Sequence, residues 1–170
     1  DQRVKIGIGI HAGPVILGTI GASDRMDSTV LGMTVNLAKR LEELTRPLGV
    51  DLLISEEVAS RLPAGHRYRL RRLGDVSVRG PSAPVAVAEV YNQDPPHVQD
   101  LKDRVEPLVS EGIELFRAGR LDAALSRFQE ALTIFPQDPP LQLLTTSVRQ
   151  FLGQGEKVKG RALLDFRGSS

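Results

Sequence analysis

Over the first ninety residues, apolar positions come in short alternating runs. "VKIGIGI" at 4–10 alternates β-branched with small residues, and "PVILGTIG" at 14–21 follows the turn signal "HAGP", so two adjacent strands are expected. "STVLG" at 28–32 and "VDLLIS" at 50–55 read as a third and a fourth strand. Between them "VLGMTVNLAKRLEEL", 30–44, predicts a helix opening after Gly32, with Val35, Ala38, Leu41 and Leu44 as one apolar stripe and Asn36 and Arg40 off it. "SEEVASRL" at 55–62 fits a short helix with Ser55 as N-cap and acidic residues in its first turn. "RYRLRRLG", "VSVRG" and "PVAVAEVY" make three further strand candidates, with Gly74-Asp75 and "GPSAP" as turns. Strands and helices mixed in this order, with hairpin-like spacing towards the end, predict an α+β domain with a mixed, partly antiparallel sheet over 1–92.

At "NQDPPHVQD", 92–100, two prolines among polar residues predict a linker over 93–100. The period then becomes helical: "VEPLVSEGIELFRAG" and "LDAALSRFQEALTIF", split at Gly119-Arg120, form a helical hairpin, and "PPLQLLTTSVRQFLG" supplies a third helix. Gly112, Ala124, Phe128, Ala131 and Pro136 follow the 34-residue tetratricopeptide spacing, with small residues where two helices touch, an aromatic wedge, and a proline after the second helix. An all-α module of tetratricopeptide type is therefore expected over 101–153. One repeat cannot bury a solenoid core by itself, which implies further repeats or a protein partner. The Gly-rich polar tail, 154–170, is expected to be loosely ordered, although "RALLDF" could begin another helix.

Composition narrows the function classes. With 22 Lys and Arg against 21 Asp and Glu among 170 residues, there is no net electrostatic pull towards nucleic acid or an anionic membrane. The absence of cysteine excludes disulfides and thiolate metal sites and fits a cytoplasmic location; no apolar run reaches membrane-span length. The chain starts at Asp1 and runs almost at once into a strand-like segment, so it reads as a piece of a longer polypeptide. Gly7, Gly9 and Gly13 lack the strand-turn-helix setting of a dinucleotide-binding loop; they are expected to let neighbouring elements pack close to the sheet. His11, His66 and His97 sit in separate segments without metal-ligand spacing, and no GxSxG elbow offers a nucleophile.

Asn36 and Arg40, four apart on a helix, present an amide and a permanent charge from the same face. By position alone this is an ordinary solvated face. Their neighbours say more: "GIGIHAGPVILGTIG", then "RMDSTVLGMTVNLAKRLEE", then "LGDVSVRG" and "PVAVAEV". In that order and spacing, Val4 to Tyr91 resembles the back half of the catalytic domain of class III nucleotidyl cyclases, the adenylate and guanylate cyclases.

The resemblance implies a partial ferredoxin-like domain and assigns roles. Asn36 and Arg40 would stabilise the transition state as the ribose 3′-oxygen attacks the α-phosphorus of a nucleoside triphosphate and pyrophosphate leaves. Such a transition state needs positioning and charge neutralisation, which a forked guanidinium supplies. Thr29, seven residues before Asn36, falls on the purine-reading position, where Thr is typical of the IIIb subgroup of commonly bicarbonate-responsive adenylate cyclases. Thr both donates and accepts, so alone it does not choose adenine over guanine. Arg79 aligns with a family position, commonly Lys, near the triphosphate. Met33 and Ser28 depart from the usual wording at non-catalytic positions. Two Mg²⁺ or Mn²⁺ ions would bind aspartates upstream of Asp1; Asp27 and Asp75 do not match those positions, so no metal ligand is assigned here. In the family, active sites form at a head-to-tail dimer interface, which implies a homodimer with shared sites. The expected function is adenylate cyclase acting on ATP in cyclic nucleotide signalling, with this piece alone inactive. Guanylate cyclase and a catalytically inactive cyclase-homology domain are the alternatives.

Overall fold

A computed structural model describes residues 6–22, 25–154, 158 and 161–168. A five-stranded mixed sheet has the order β1 (Ile8–Ile10), β4 (Leu52–Ser55), β6 (Val85–Val90), β5 (Leu70–Ser77), β7 (Leu164–Asp165). Its outer pairs, β1 with β4 and β5 with β7, are parallel, and its inner pairs are antiparallel. β2 (Ile16–Ala22) and β3 (Arg25–Leu31) form a separate antiparallel ribbon. The two runs at 4–10 and 14–21 are thus not sheet neighbours, contrary to expectation; residues 4 and 5 lie outside the described residues. Alternation specifies which face a residue takes and leaves the partner strand open. Helix α1 (Met33–Leu48) provides the crossover that returns the chain to β4 alongside β1.

Gly74 and Asp75 do not turn the chain. β5 runs through them with a bulge between Arg72 and Gly74, and Gly74 takes a φ of +88°. The glycine that suggested a turn supplies the left-handed residue of a bulge instead.

Helix α1 buries Thr34, Leu37, Leu41, Leu44, Thr45 and Leu48. This corrects the predicted stripe by one position at its start, because Val35 is 37% exposed while Thr34 and Leu37 face inward. Thr34 Oγ1 donates to the carbonyl of Pro14 at 2.6 Å, rotating the first turn onto the loop after β1. The helix lies so close to β1 that a Cβ on Gly9 would collide with the helix backbone between Ala38 and Glu42, and one on Gly7 with Thr45. Close packing is therefore the role of these glycines. Ser55 stands at the N-cap of α2 (Glu56–Ala59), as read, but makes no capping bond; its hydroxyl pairs with His11 Nδ1 at 2.8 Å, tying the end of β1 to β4.

Helices α3 (Pro96–Arg117), α4 (Leu121–Ile134) and α5 (Pro139–Gln154) follow. The linker expected over 93–100 is shorter, since Pro95 caps α3 and Pro96 occupies its first turn, where a missing N–H costs nothing. Gly112 of α3 meets the Phe128 ring of α4, whose Cδ1 would lie 2.9 Å from an added Cβ. One apolar core runs through both halves of the chain, joining Leu41, Leu48, Leu53, Leu73 and Val76 to Val109, Phe116, Phe128, Leu144 and Phe151.

The tail also departs from expectation. Residues 161–168 are neither loose nor helical: Leu163 and Leu164 are 1% and 4% exposed, and β7 pairs with Val76 and Ser77. The open edge of β5 and the missing side chain of Gly74, where an added Cβ would lie 3.1 Å from Leu163 Cδ2, decide this, and neither is visible in the local sequence.

A buried ion cluster crosses the junction. Arg71 of β5 donates to Glu89 of β6 at 2.7 and 3.0 Å, and to Asp138, just before α5, at 2.9 and 3.0 Å. Lys102 of α3 also reaches Glu89. Burial alone would lower the Arg71 pKa, but the two carboxylates outweigh it and hold the guanidinium above its ordinary range.

Candidate active site

The buried side of α1 leaves its other side to solvent, and Asn36 and Arg40 lie there one turn apart. The Asn36 side chain is exposed; its backbone N–H donates to Gly32 at 3.3 Å, the first bond of the helix. Arg40, 39% exposed, donates from Nη1 to Glu43 Oε2 at 2.6 Å. An exposed pair of this kind contributes on the order of 0.2–1 kcal/mol, so a polyanion can displace Glu43 readily.

Arg40 lines a cleft of about 800 Å³ that runs beside the C-terminal half of α1. The end of β5 brings Val78 and Arg79 to the same cleft, and Phe166 closes it from the tail. Arg79 is exposed and donates from Nε to the carbonyl of Arg167 at 3.0 Å. Two of the predicted residues, Arg40 and Arg79, are therefore brought together although 39 positions separate them, while Asn36 lies beyond the cleft lining. Thr29 sits in β3 opposite Gly18; its side chain lies outside the described residues. A guanidinium pair on one cleft suits a phosphate-bearing ligand, since each fork presents parallel donors to oxyanions.

A family model for the adenylate and guanylate cyclase catalytic domain matches residues 1–91. The chain belongs to this family. The cyclase domain is 42% identical over 89 residues to an adenylate cyclase of Anabaena cylindrica, covering 52% of this chain and 18% of that protein. The terminal-differentiation-specific adenylate cyclase of Dictyostelium discoideum is 32% identical over 140 residues, covering 82% of this chain and 7% of its own length. Those 140 residues exceed the 91 of the family match, so that likeness runs on into the helices. Guanylate cyclase 2G of Mus musculus is 36% identical over 80 residues, 47% of this chain and 7% of that one. The chain thus spans less than a fifth of the length of these curated relatives. Among solved structures, a bacterial light-regulated adenylyl cyclase is 34% identical over 55% of this chain and 44% of its own, with a TM-score of 0.42.

The cyclase motifs act on the structure as much as on the site. "GIGIHAGP" seats α1 through Gly7, Gly9, Gly13 and the Pro14 carbonyl, and so sets where Asn36 and Arg40 emerge. Glu43, the present partner of Arg40, could have been found from its i+3 spacing. Phe166 and Arg167 could not, because nothing local links them to a helix more than a hundred residues earlier. Class III cyclases generally use Mg²⁺ or Mn²⁺, yet among the described residues no three His, Asp or Glu side chains cluster to hold a metal ion. The described residues therefore offer no set of donors that fits such an ion. Among the described residues, no helix is long and apolar enough to cross a membrane.

Proposed function

We propose that this chain carries the transition-state and base-reading half of a IIIb-like class III adenylate cyclase, which converts ATP to 3′,5′-cyclic AMP and pyrophosphate. The observation that carries the reading is the placement of Asn36 and Arg40 on the exposed face of α1, with Arg40 and Arg79 lining one cleft. As the 3′-oxygen bonds to the α-phosphorus and the bond to the pyrophosphate oxygen breaks, charge builds on the phosphoryl oxygens. Arg40 neutralises it with fixed charge, and the Asn36 amide orients the ribose. Arg79 contacts the triphosphate and Thr29 the purine.

The remainder of the site is assigned to a second subunit. Ile6, Ile8, Ile10, Ile16, Leu17 and Met33 are exposed around β1, the ribbon and the start of α1, where the front half of the domain or the second subunit would pack. In the family the two divalent ions and the purine-reading Lys belong to the front half of the catalytic domain, and this chain alone is expected to be inactive. The helices take the role of a tetratricopeptide-type module for a protein partner or further repeats, in a cytoplasmic signalling protein. Guanylate cyclase is the second reading, since Thr29 can pair with either purine.

The test is turnover by the intact enzyme with ATP or GTP and Mn²⁺. Cyclic AMP and pyrophosphate in equal amounts, with ATP preferred, support the proposal. Preference for GTP moves it to the second reading, and no cyclic product from either overturns both.

A further inference from the structure

The segment after α5 reaches the cleft by a route that the cyclase family match, ending at residue 91, does not contain. Leu163 and Leu164 are buried in the common core, and Ser147 of α5 donates to the Leu163 carbonyl. β7 then adds a parallel edge to β5, and the Phe166 N–H donates to Ser77 at 2.9 Å. Asp165 fixes the following turn by accepting the Arg167 N–H at 3.0 Å and its Nε at 3.0 and 3.2 Å. The outcome is a rigidly placed Arg167 carbonyl, 3.0 Å from Arg79 Nε, and a Phe166 side chain on the cleft wall. Among the described residues Arg79 makes no other side-chain hydrogen bond, so both of its Nη groups are available.

We propose that the Asp165–Arg167 turn, delivered by β7, positions Arg79 for nucleotide binding. It holds the Arg79 fork at the rim of the cleft with its terminal donors free for the oxyanions of a nucleoside triphosphate. An arginine anchored through Nε has lost most of its rotamer freedom before the ligand arrives, so less is lost on binding. The helical segment thereby contributes to the nucleotide site through the strand that it delivers. This inference rests on the cyclase reading of Arg40 and Arg79.

The test uses the intact enzyme and one surface change, Asp165→Ala, alone and with Arg79→Ala as background. Releasing one long side chain is expected to raise KM for ATP by about three- to tenfold, with kcat changed less than about twofold. The calorimetric Kd for 3′-deoxy-ATP, which binds without a hydroxyl to cyclise, is expected to weaken by the same factor. In the Arg79→Ala background, Asp165→Ala should have no further effect. Unaltered KM and Kd in the folded variant, or an equal effect without Arg79, overturns the inference. Arg40→Ala in the same assay separates the two levels. If it abolishes turnover while Asp165→Ala is neutral, only the positioning role fails; if it leaves turnover intact, the cyclase reading fails and the positioning role with it.

Discussion

Arg71 and Asp138, 67 residues apart in sequence, share two hydrogen bonds of 2.9 and 3.0 Å with side chains only 0% and 1% exposed. The pair fastens the cyclase sheet to the third helix. Asp138 also accepts the Leu141 N–H at 3.0 Å, so one carboxylate both caps α5 and pairs with β5.

Removing the cation should therefore be severe. Arg71→Met leaves Glu89 and Asp138 buried with only Lys102 to offset them, and the unfolding free energy is expected to fall by about 3–5 kcal/mol in urea titration. Asp138→Asn keeps an oxygen for the cap and should cost less than Asp138→Ala.

Close approach of α1 to β1 gives a second prediction. Gly9→Ala forces a methyl group against the helix backbone, with Leu41 C only 2.8 Å from the added Cβ, and should destabilise by roughly 1–3 kcal/mol. Gly18→Ala, where nothing lies within 4 Å, should change stability by less than about 0.5 kcal/mol. Equal urea midpoints for the two variants would count against the packing role of Gly9.

For catalysis, Arg40→Ala in the intact enzyme should lower kcat by about a hundredfold or more, as loss of a charge-stabilising donor does. Glu43→Gln, which removes exposed ion pairs with Arg40 and Lys39, should alter kcat by less than about fivefold. Steady-state turnover of ATP measures both.

Tyr91 makes stability depend on alkaline pH. Burial, and then its 2.7 Å hydrogen bond to Asp103, hold the phenol above its ordinary pKa of 10. A folded-state pKa above the unfolded one means a contribution fully present below pH 10 and lost as pH rises through the folded value. Urea midpoints taken from pH 8 to 11 should fall beyond pH 10 in the native protein, and less steeply in Tyr91→Phe.

How much of this could be read from the chain depends on the range of each interaction. The 3.6-residue period placed α1, α3, α4 and α5, because that signal lies within one or two turns, and the repeat spacing of Gly112 and Phe128 announced a close helix pair. Motif wording picked out Asn36, Arg40, Thr29 and Arg79. The sequence places the α1 stripe one position off, since Val35 is as apolar as any inward residue and only the Thr34–Pro14 bond reveals the rotation. Gly74 reads as a turn because a bulge and a turn demand the same left-handed residue.

Local pattern by itself determined the helices, most of the strands and the residue types suited to phosphate chemistry, which follow from backbone sterics and side-chain spacing. Tertiary structure alone decided which strands pair, that the helices close on β5 in one common core, and that the tail forms β7 beside Arg79. Those outcomes depend on open strand edges, voids and buried charges created by segments far apart in the chain. A short run of residues carries no record of them.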